Sequence, residues 1–190
     1  MTVAATTYLD SRSEAYVAEV LDTIEAVGSQ PVVGAYVLGS GLLGGFDPRT
    51  SDLDVVAVVA HPLDAVGRAA VVQALDKLPP PVRKLELVVY AAGAKPPAYE
   101  LNYPDGDREP AHWFVLDAAI AQERAQPFLG RPWREVLEAV SASEVRRAAQ
   151  ESLAWSDRQR ADDEFARLNA ARARHYLERG KWITKEEAKG

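Results

Sequence analysis

Two aspartates, Asp52 and Asp54, flank the start of an otherwise apolar run that continues from Leu53 to Ala60. A strand's period of two sends both carboxylates to the same face. Held side by side, the two anions raise each other's pKa unless a cation neutralises them, and hard oxygen ligands of this kind suit Mg²⁺, often together with substrate phosphates. Glu86, between Leu85 and Leu87 in another apolar segment, offers a third carboxylate. If its strand pairs beside the first, Glu86 comes within reach of the same metal site. Each acid also has a plainer reading: Asp52 as a loop cap, Asp54 as the partner of an arginine, Glu86 on a solvated sheet edge. Upstream, Gly39-Ser40-Gly41-Leu42-Leu43-Gly44-Gly45 closes a further apolar run as a tight turn, of the kind whose free amides bind phosphate.

Other chemistries fall away on spacing. Gly39 to Gly44 satisfies the glycine pattern of dinucleotide binding, but Gly45 and Pro48 interrupt the helix that must follow, and the acids precede the second strand. A Walker A loop needs Gly-Lys-Ser/Thr where this chain has Gly44-Gly45-Phe46. His61, His112 and His175 form no zinc-binding spacing, and Ser40 lacks the glycine two residues earlier that a nucleophile elbow requires. His112 and His175 read instead as partly buried helix-face residues. With no cysteine, disulfide frameworks, zinc ribbons, iron–sulfur clusters and thiol nucleophiles are excluded.

The elements that must position these residues follow from periodicity. Ser11 and Glu14 have capping-box spacing, and Val17, Val20, Leu21, Ile24 and Val27 recur at helical steps up to Gly28. Val32–Leu38, Leu53–Ala60 and Lys84–Tyr90 read as strands, with a helix opened by Pro62 between the last two. Strand–helix–strand order implies a sheet with crossover connections. Residues 91–111 read as a long Pro-, Gly- and Asp-rich loop. Beyond it, residues 113–124, 133–140, 143–155 and 162–179 are helical in spacing. The expected organisation is an α/β unit over residues 1–105 and an all-helical one over 106–190. Trp113, Trp133, Trp155 and Trp182 fall in the helical half, where such residues are expected in the core.

The chain has 190 residues, 47% of them hydrophobic and 26% charged, enough for one globular domain or two small ones with a real core. Its net charge of -6 is concentrated early, with 7 basic against 12 acidic residues in the first 100. An acidic surface without a basic stripe repels a phosphate backbone, so nucleic acid is not an expected partner, whereas a cationic small molecule is attracted. Residues 1–30 lack a basic start followed by an apolar block, and no window has the apolar length to span a bilayer. A soluble, cytoplasmic protein without a membrane partner is expected.

Gly39-Ser40 followed, after eleven intervening residues, by Asp52-Leu53-Asp54 and an apolar strand resembles the signature of the nucleotidyltransferase superfamily that includes DNA polymerase β. The run from Val37 to Val59, with Glu86 in Leu-Glu-Leu-Val-Val, looks most like the aminoglycoside (3'') adenylyltransferases, the streptomycin and spectinomycin resistance enzymes. Ala111-His112-Trp113 through Ile120-Ala121-Gln122-Glu123 is similar to the first helix of that family's C-terminal domain, and the stretch from Asp162-Asp163-Glu164 to Lys185 matches its later spacing.

The resemblance implies an α+β fold: a polymerase β-like mixed sheet flanked by helices, then an all-helical C-terminal domain shorter than in the family. It implies an ATP-dependent adenylyltransferase. Ser40 and Ser51, beside Gly39, would bind the triphosphate, and Asp52 and Asp54 would hold Mg²⁺. Glu86 would be the general base, Arg172 and Lys185 would neutralise phosphate charge, and Asp162 or Asp163 would face the aminoglycoside. The chain departs from the family where Glu100-Leu101-Asn102-Tyr103 is followed by Pro104-Asp105-Gly106 instead of an aromatic drug contact, and where it stops five residues after Lys185. Another acceptor, such as a protein hydroxyl or a different metabolite, and a non-catalytic nucleotide-binding relative therefore stay open.

Overall fold

The computed structural model describes residues 7–160, 162–184 and 187–189. Helix α1 (Ser11–Gly28) leads into β1 (Val32–Val37), the short α2 (Gly39–Leu43), β2 (Leu53–Val59), α3 (Ala65–Leu75), β3 (Leu85–Ala91) and β4 (Leu101–Tyr103). Then come α4 (Ala111–Arg124), β5 (Leu129–Gly130), α5 (Trp133–Val136), α6 (Ala142–Ser156) and α7 (Glu164–Arg179). None of these helices is long and apolar enough to cross a membrane.

The five strands form one mixed sheet in the order β4-β3-β2-β1-β5. β2 and β3 are parallel, joined by the expected crossover through α3. β1 and β2 are antiparallel, against the crossover expectation, because only the five-residue α2 lies between them and a parallel return needs an element that packs back along the sheet. The loop over 91–111 contains β4, which extends the sheet beside β3, and a 3-10 turn at Gly106–Arg108. β4 and β5 have three and two residues, too few for a periodicity to show in sequence.

Both faces of the sheet are covered, which explains why β2 reads as almost continuously apolar. Leu53, Val55, Ala57 and Val59, with Leu87 and Val89 of β3, pack against Val17, Val20, Ile24, Val71 and Leu75 of α1 and α3. The alternate residues Val56, Val58 and Tyr90, with Tyr36 of β1, meet Leu116, Ile120, Trp133, Ala149, Ala173 and Trp182 of the helical half. Each such side chain contributes roughly 1.5–3 kcal/mol when fully buried. Asp54 and Glu86 are in phase with this second set, so the helical half lies over the face that carries these acids.

Helix ends follow local chemistry. α1 begins one residue earlier than the Ser11 box suggests: the Asp10 carboxylate accepts from the amides of Arg12 and Ser13, while Glu14 accepts from the Thr7 hydroxyl. α6 opens on a reciprocal box between Ser141 and Glu144.

His112 on α4 is buried and its Nε2 has no hydrogen-bond partner among the described residues. Burial pushes its pKa below the ordinary imidazole value, with Glu151 opposing and Arg158 adding. The unfolded chain therefore takes up a proton more readily than the folded one. Stability from this group is complete above about pH 6.5 and is lost as pH falls through the lower folded value. Thermal melts between about pH 7 and pH 5 should show this decline, and His112→Phe should remove the component due to this residue.

Candidate active site

The site is built where β1 ends and β2 begins. The Leu38 amide donates to the Asp54 carbonyl at 2.8 Å, pinning the turn after β1 to the start of β2. The next residue, Gly39, has φ +52, and a Cβ there would lie 1.8 Å from Asp54 Oδ2. Only glycine leaves the carboxylate room to sit against this backbone. The glycine turn and the acidic strand, separate features in the sequence, are one packed unit.

Asp54 and Glu86 are register partners on the parallel strands β2 and β3. Both line a cavity of about 310 Å³ roofed by α4, α6 and α7. Gly39 and Arg172 line it too. Arg172 donates through Nε to the Ile183 carbonyl at 2.9 Å. Burial pushes its pKa below the ordinary guanidinium value, Asp117 and Asp54 work against that, and Arg124 adds to it.

Asp52 does not line the cavity. Its two carboxylate oxygens accept from Nε and Nη2 of Arg83 in a bidentate pair. The adjacent Lys84 bridges Glu86 at 3.1 Å and Asp105 at 2.6 Å. Burial works against the Lys84 charge, but these two hydrogen bonds outweigh it and hold the pKa above the ordinary lysine value. One basic dipeptide ahead of β3 thus neutralises an acid on each of two strands. Arg83-Lys84 was visible in the sequence, but no periodicity marked it as facing these acids.

The remaining expected site residues are spread more widely. The Ser40 carbonyl accepts from the Gly44 amide in α2, and the Ser51 hydroxyl accepts from the Asp47 amide at 3.1 Å, closing the loop before β2. Neither serine lines the cavity. Asp162 is exposed and paired with Arg160 at 2.9 Å. Asp163 caps α7, accepting from the Ala166 amide at 3.0 Å. Neither aspartate lines the cavity either. Asp163→Ala should cost about 1 kcal/mol as a lost helix cap, read by chemical denaturation, and leave the KM of an acceptor unchanged. Lys185 lies outside the described residues.

Several cavity residues were not singled out from sequence. Glu109 is pushed above the ordinary carboxylate range by burial and by the neighbouring charges of Glu86 and Asp105, while a 3.0 Å hydrogen bond from Asn102 opposes this. Asp117, an exposed residue of α4, lines the same cavity as Arg172, whose charge it favours. The tryptophans divide, correcting their common assignment to the core. Trp133 and Trp182 are buried in it, Trp182 also reaching the cavity, whereas Trp113 and Trp155 are partly exposed and line the cavity with Phe165. Their ring centroids lie 5.4 to 6.2 Å apart in steeply tilted contacts, which makes one aromatic wall. The 51% exposure of Phe165 is the sign that this wall reaches the surface.

A mixed sheet with a glycine turn packed on an acidic strand, and helices over the same face, is an α+β fold shared with a solved nucleotidyltransferase. The chain is similar in structure to spectinomycin adenyltransferase AAD(9) from Enterococcus faecialis, solved with ATP and spectinomycin. The TM-score is 0.73 at 22% identity, over 93% of this chain and 79% of that one. A toxin–antitoxin structure with AMP-PNP matches at a TM-score of 0.37 and 16% identity, over 76% of this chain and 90% of that one, too distant to carry an argument. No protein-family model matches the sequence, and no curated protein does.

Proposed function

We propose that this chain is an ATP-dependent nucleotidyltransferase that moves AMP from Mg-ATP to a hydroxyl of an aminoglycoside-like cationic small molecule, releasing pyrophosphate. The observation that carries this reading is the register pairing of Asp54 with Glu86 on one cavity, against the Gly39 turn. The similarity to a fold solved with ATP and spectinomycin supports it.

Among the described residues, no group of three or more His, Asp or Glu side chains is disposed to hold a metal unaided. Mg²⁺ commonly rests on one or two carboxylates and completes its shell with phosphate and water, so Asp52 and Asp54 on one strand face fit it. When bound it supplies charge neutralisation for the phosphates and the leaving pyrophosphate. The turn at Gly39 and Ser40 receives the triphosphate through backbone amides, with the Ser51 hydroxyl, Arg172 and Lys185 adding contacts and positive charge. Glu86 accepts the proton of the acceptor hydroxyl as that oxygen bonds to the α-phosphorus and the bond to the bridging pyrophosphate oxygen breaks.

The rest of the cavity lining favours a cationic acceptor. Glu109 and Asp117 supply negative charge, and the faces of Trp113, Trp155 and Phe165 attract ammonium or guanidinium groups. Mass spectrometry of reactions with Mg-ATP and, separately, streptomycin and spectinomycin tests the reading. An AMP adduct on a drug, absent with Asp54→Asn, is expected. No adduct despite measurable Mg-ATP binding would redirect the search to another hydroxyl or to a non-catalytic relative.

A further inference from the structure

Arg83 stands on the acid that the proposed function assigns to the metal. Both of its hydrogen bonds go to Asp52, through Nε at 2.9 Å to Oδ1 and through Nη2 to Oδ2. A guanidinium fork engaging both oxygens takes one lone pair on each and partly neutralises the carboxylate, so a cation binding there must compete with it. Yet the arginine side chain is 64% exposed while Asp52 is 19% exposed, so the acid is the fixed member and the base the movable one. An exposed pair of this kind is weakly held and exchanges readily for a better partner. The fork that matches a carboxylate also matches a phosphate.

We propose that Arg83 is a placeholder cation: it occupies Asp52 when no nucleotide is bound and moves to the triphosphate when nucleotide arrives, releasing Asp52 to the metal. The inference rests on the metal reading of Asp52 and deepens it. Arg83 competes with Mg²⁺ for one carboxylate, so free metal binds weakly. A triphosphate draws the guanidinium away and removes that competition, so nucleotide and metal each strengthen the other's binding by the same factor. Arg83 is thus a positioning residue for the nucleotide-bound state, and it makes metal loading depend on nucleotide. Lys84 is less suited to this role, because it is shared between Glu86 and Asp105 and is more buried.

The test is a Mn²⁺ titration of the full chain, read by the electron paramagnetic resonance of free Mn²⁺, with and without α,β-methylene ATP. Wild type, Arg83→Gln and Asp52→Asn are compared. The expected result is that Arg83→Gln binds Mn²⁺ alone about 5-fold or more tightly than wild type, while the strengthening of Mn²⁺ binding by the nucleotide analogue shrinks by a similar factor. The melting temperature of Arg83→Gln should match wild type, since only an exposed pair is lost. Arg83→Gln binding Mn²⁺ alone no more tightly than wild type, including undetectable binding by both, overturns the placeholder. Asp52→Asn binding Mn²⁺ as wild type does, with and without nucleotide, overturns the metal reading and the placeholder with it. Loss of Mn²⁺ binding in Asp52→Asn with no change in Arg83→Gln overturns the placeholder alone.

Discussion

Glu86→Gln should abolish AMP transfer while leaving the nucleotide bound. Removing a general base typically costs 10²–10⁴ in rate, so kcat should fall by about that much, with Mg-ATP affinity within about twofold of wild type. The geometry makes the variant interpretable. Glu86 stands next to Asp54 across β2 and β3, and both face the cavity. Glutamine keeps the shape and can still accept a hydrogen bond from Lys84, which also retains Asp105. The fold should therefore persist, with stability changed by no more than about 1 kcal/mol for a partly exposed pair. Single-turnover mass spectrometry with equilibrium binding of a non-hydrolysable nucleotide separates the two effects. A variant of normal rate would remove the proton-accepting role from Glu86.

Gly39→Ala should be nearly as damaging for a different reason. A Cβ at this position would lie 1.8 Å from Asp54 Oδ2, so the carboxylate must turn away or the turn must shift. The backbone conformation, at φ +52, adds about 1–2 kcal/mol of strain for any residue with a side chain. Displacement of a positioning group by about 1 Å can cost 10²-fold, and transfer is expected to fall by at least about that factor. Gly45→Ala is the matched control. It also has positive φ, at +82, but a Cβ there meets nothing within 4 Å. Gly45→Ala should show the strain in its melting temperature and keep most of its activity, whereas Gly39→Ala should lose activity beyond what destabilisation explains. Equal activity loss in both would mean that turn flexibility, rather than the contact with Asp54, governs the site.

The sequence by itself determined β1, β2 and β3 and the face of the sheet that carries Asp54 and Glu86. The apolar run over Leu53 to Val59 and the partial alternation over Leu85 to Ala91 are local properties, and a period of two puts Asp54 in phase with Val56 and Val58 without reference to the rest of the chain. Helices α4, α6 and α7 were equally legible, because α6 and α7 carry their caps and apolar spacing within themselves, whereas the helix expected over 133–140 is the single turn α5, the chain turning extended at Leu137. Tertiary structure alone decided what meets these elements. The antiparallel pairing of β1 with β2, the Arg83 fork on Asp52, and the acids Glu109 and Asp117 beside Glu86 depend on how segments distant in sequence pack. Trp113 and Trp133 both occupy helices of the same half, yet one lines the cavity and the other is core. Periodicity reports that a residue faces the interior side of its own element. Whether that side meets solid packing or an open cavity is set by the neighbouring elements, whose placement is written in no single stretch of the chain.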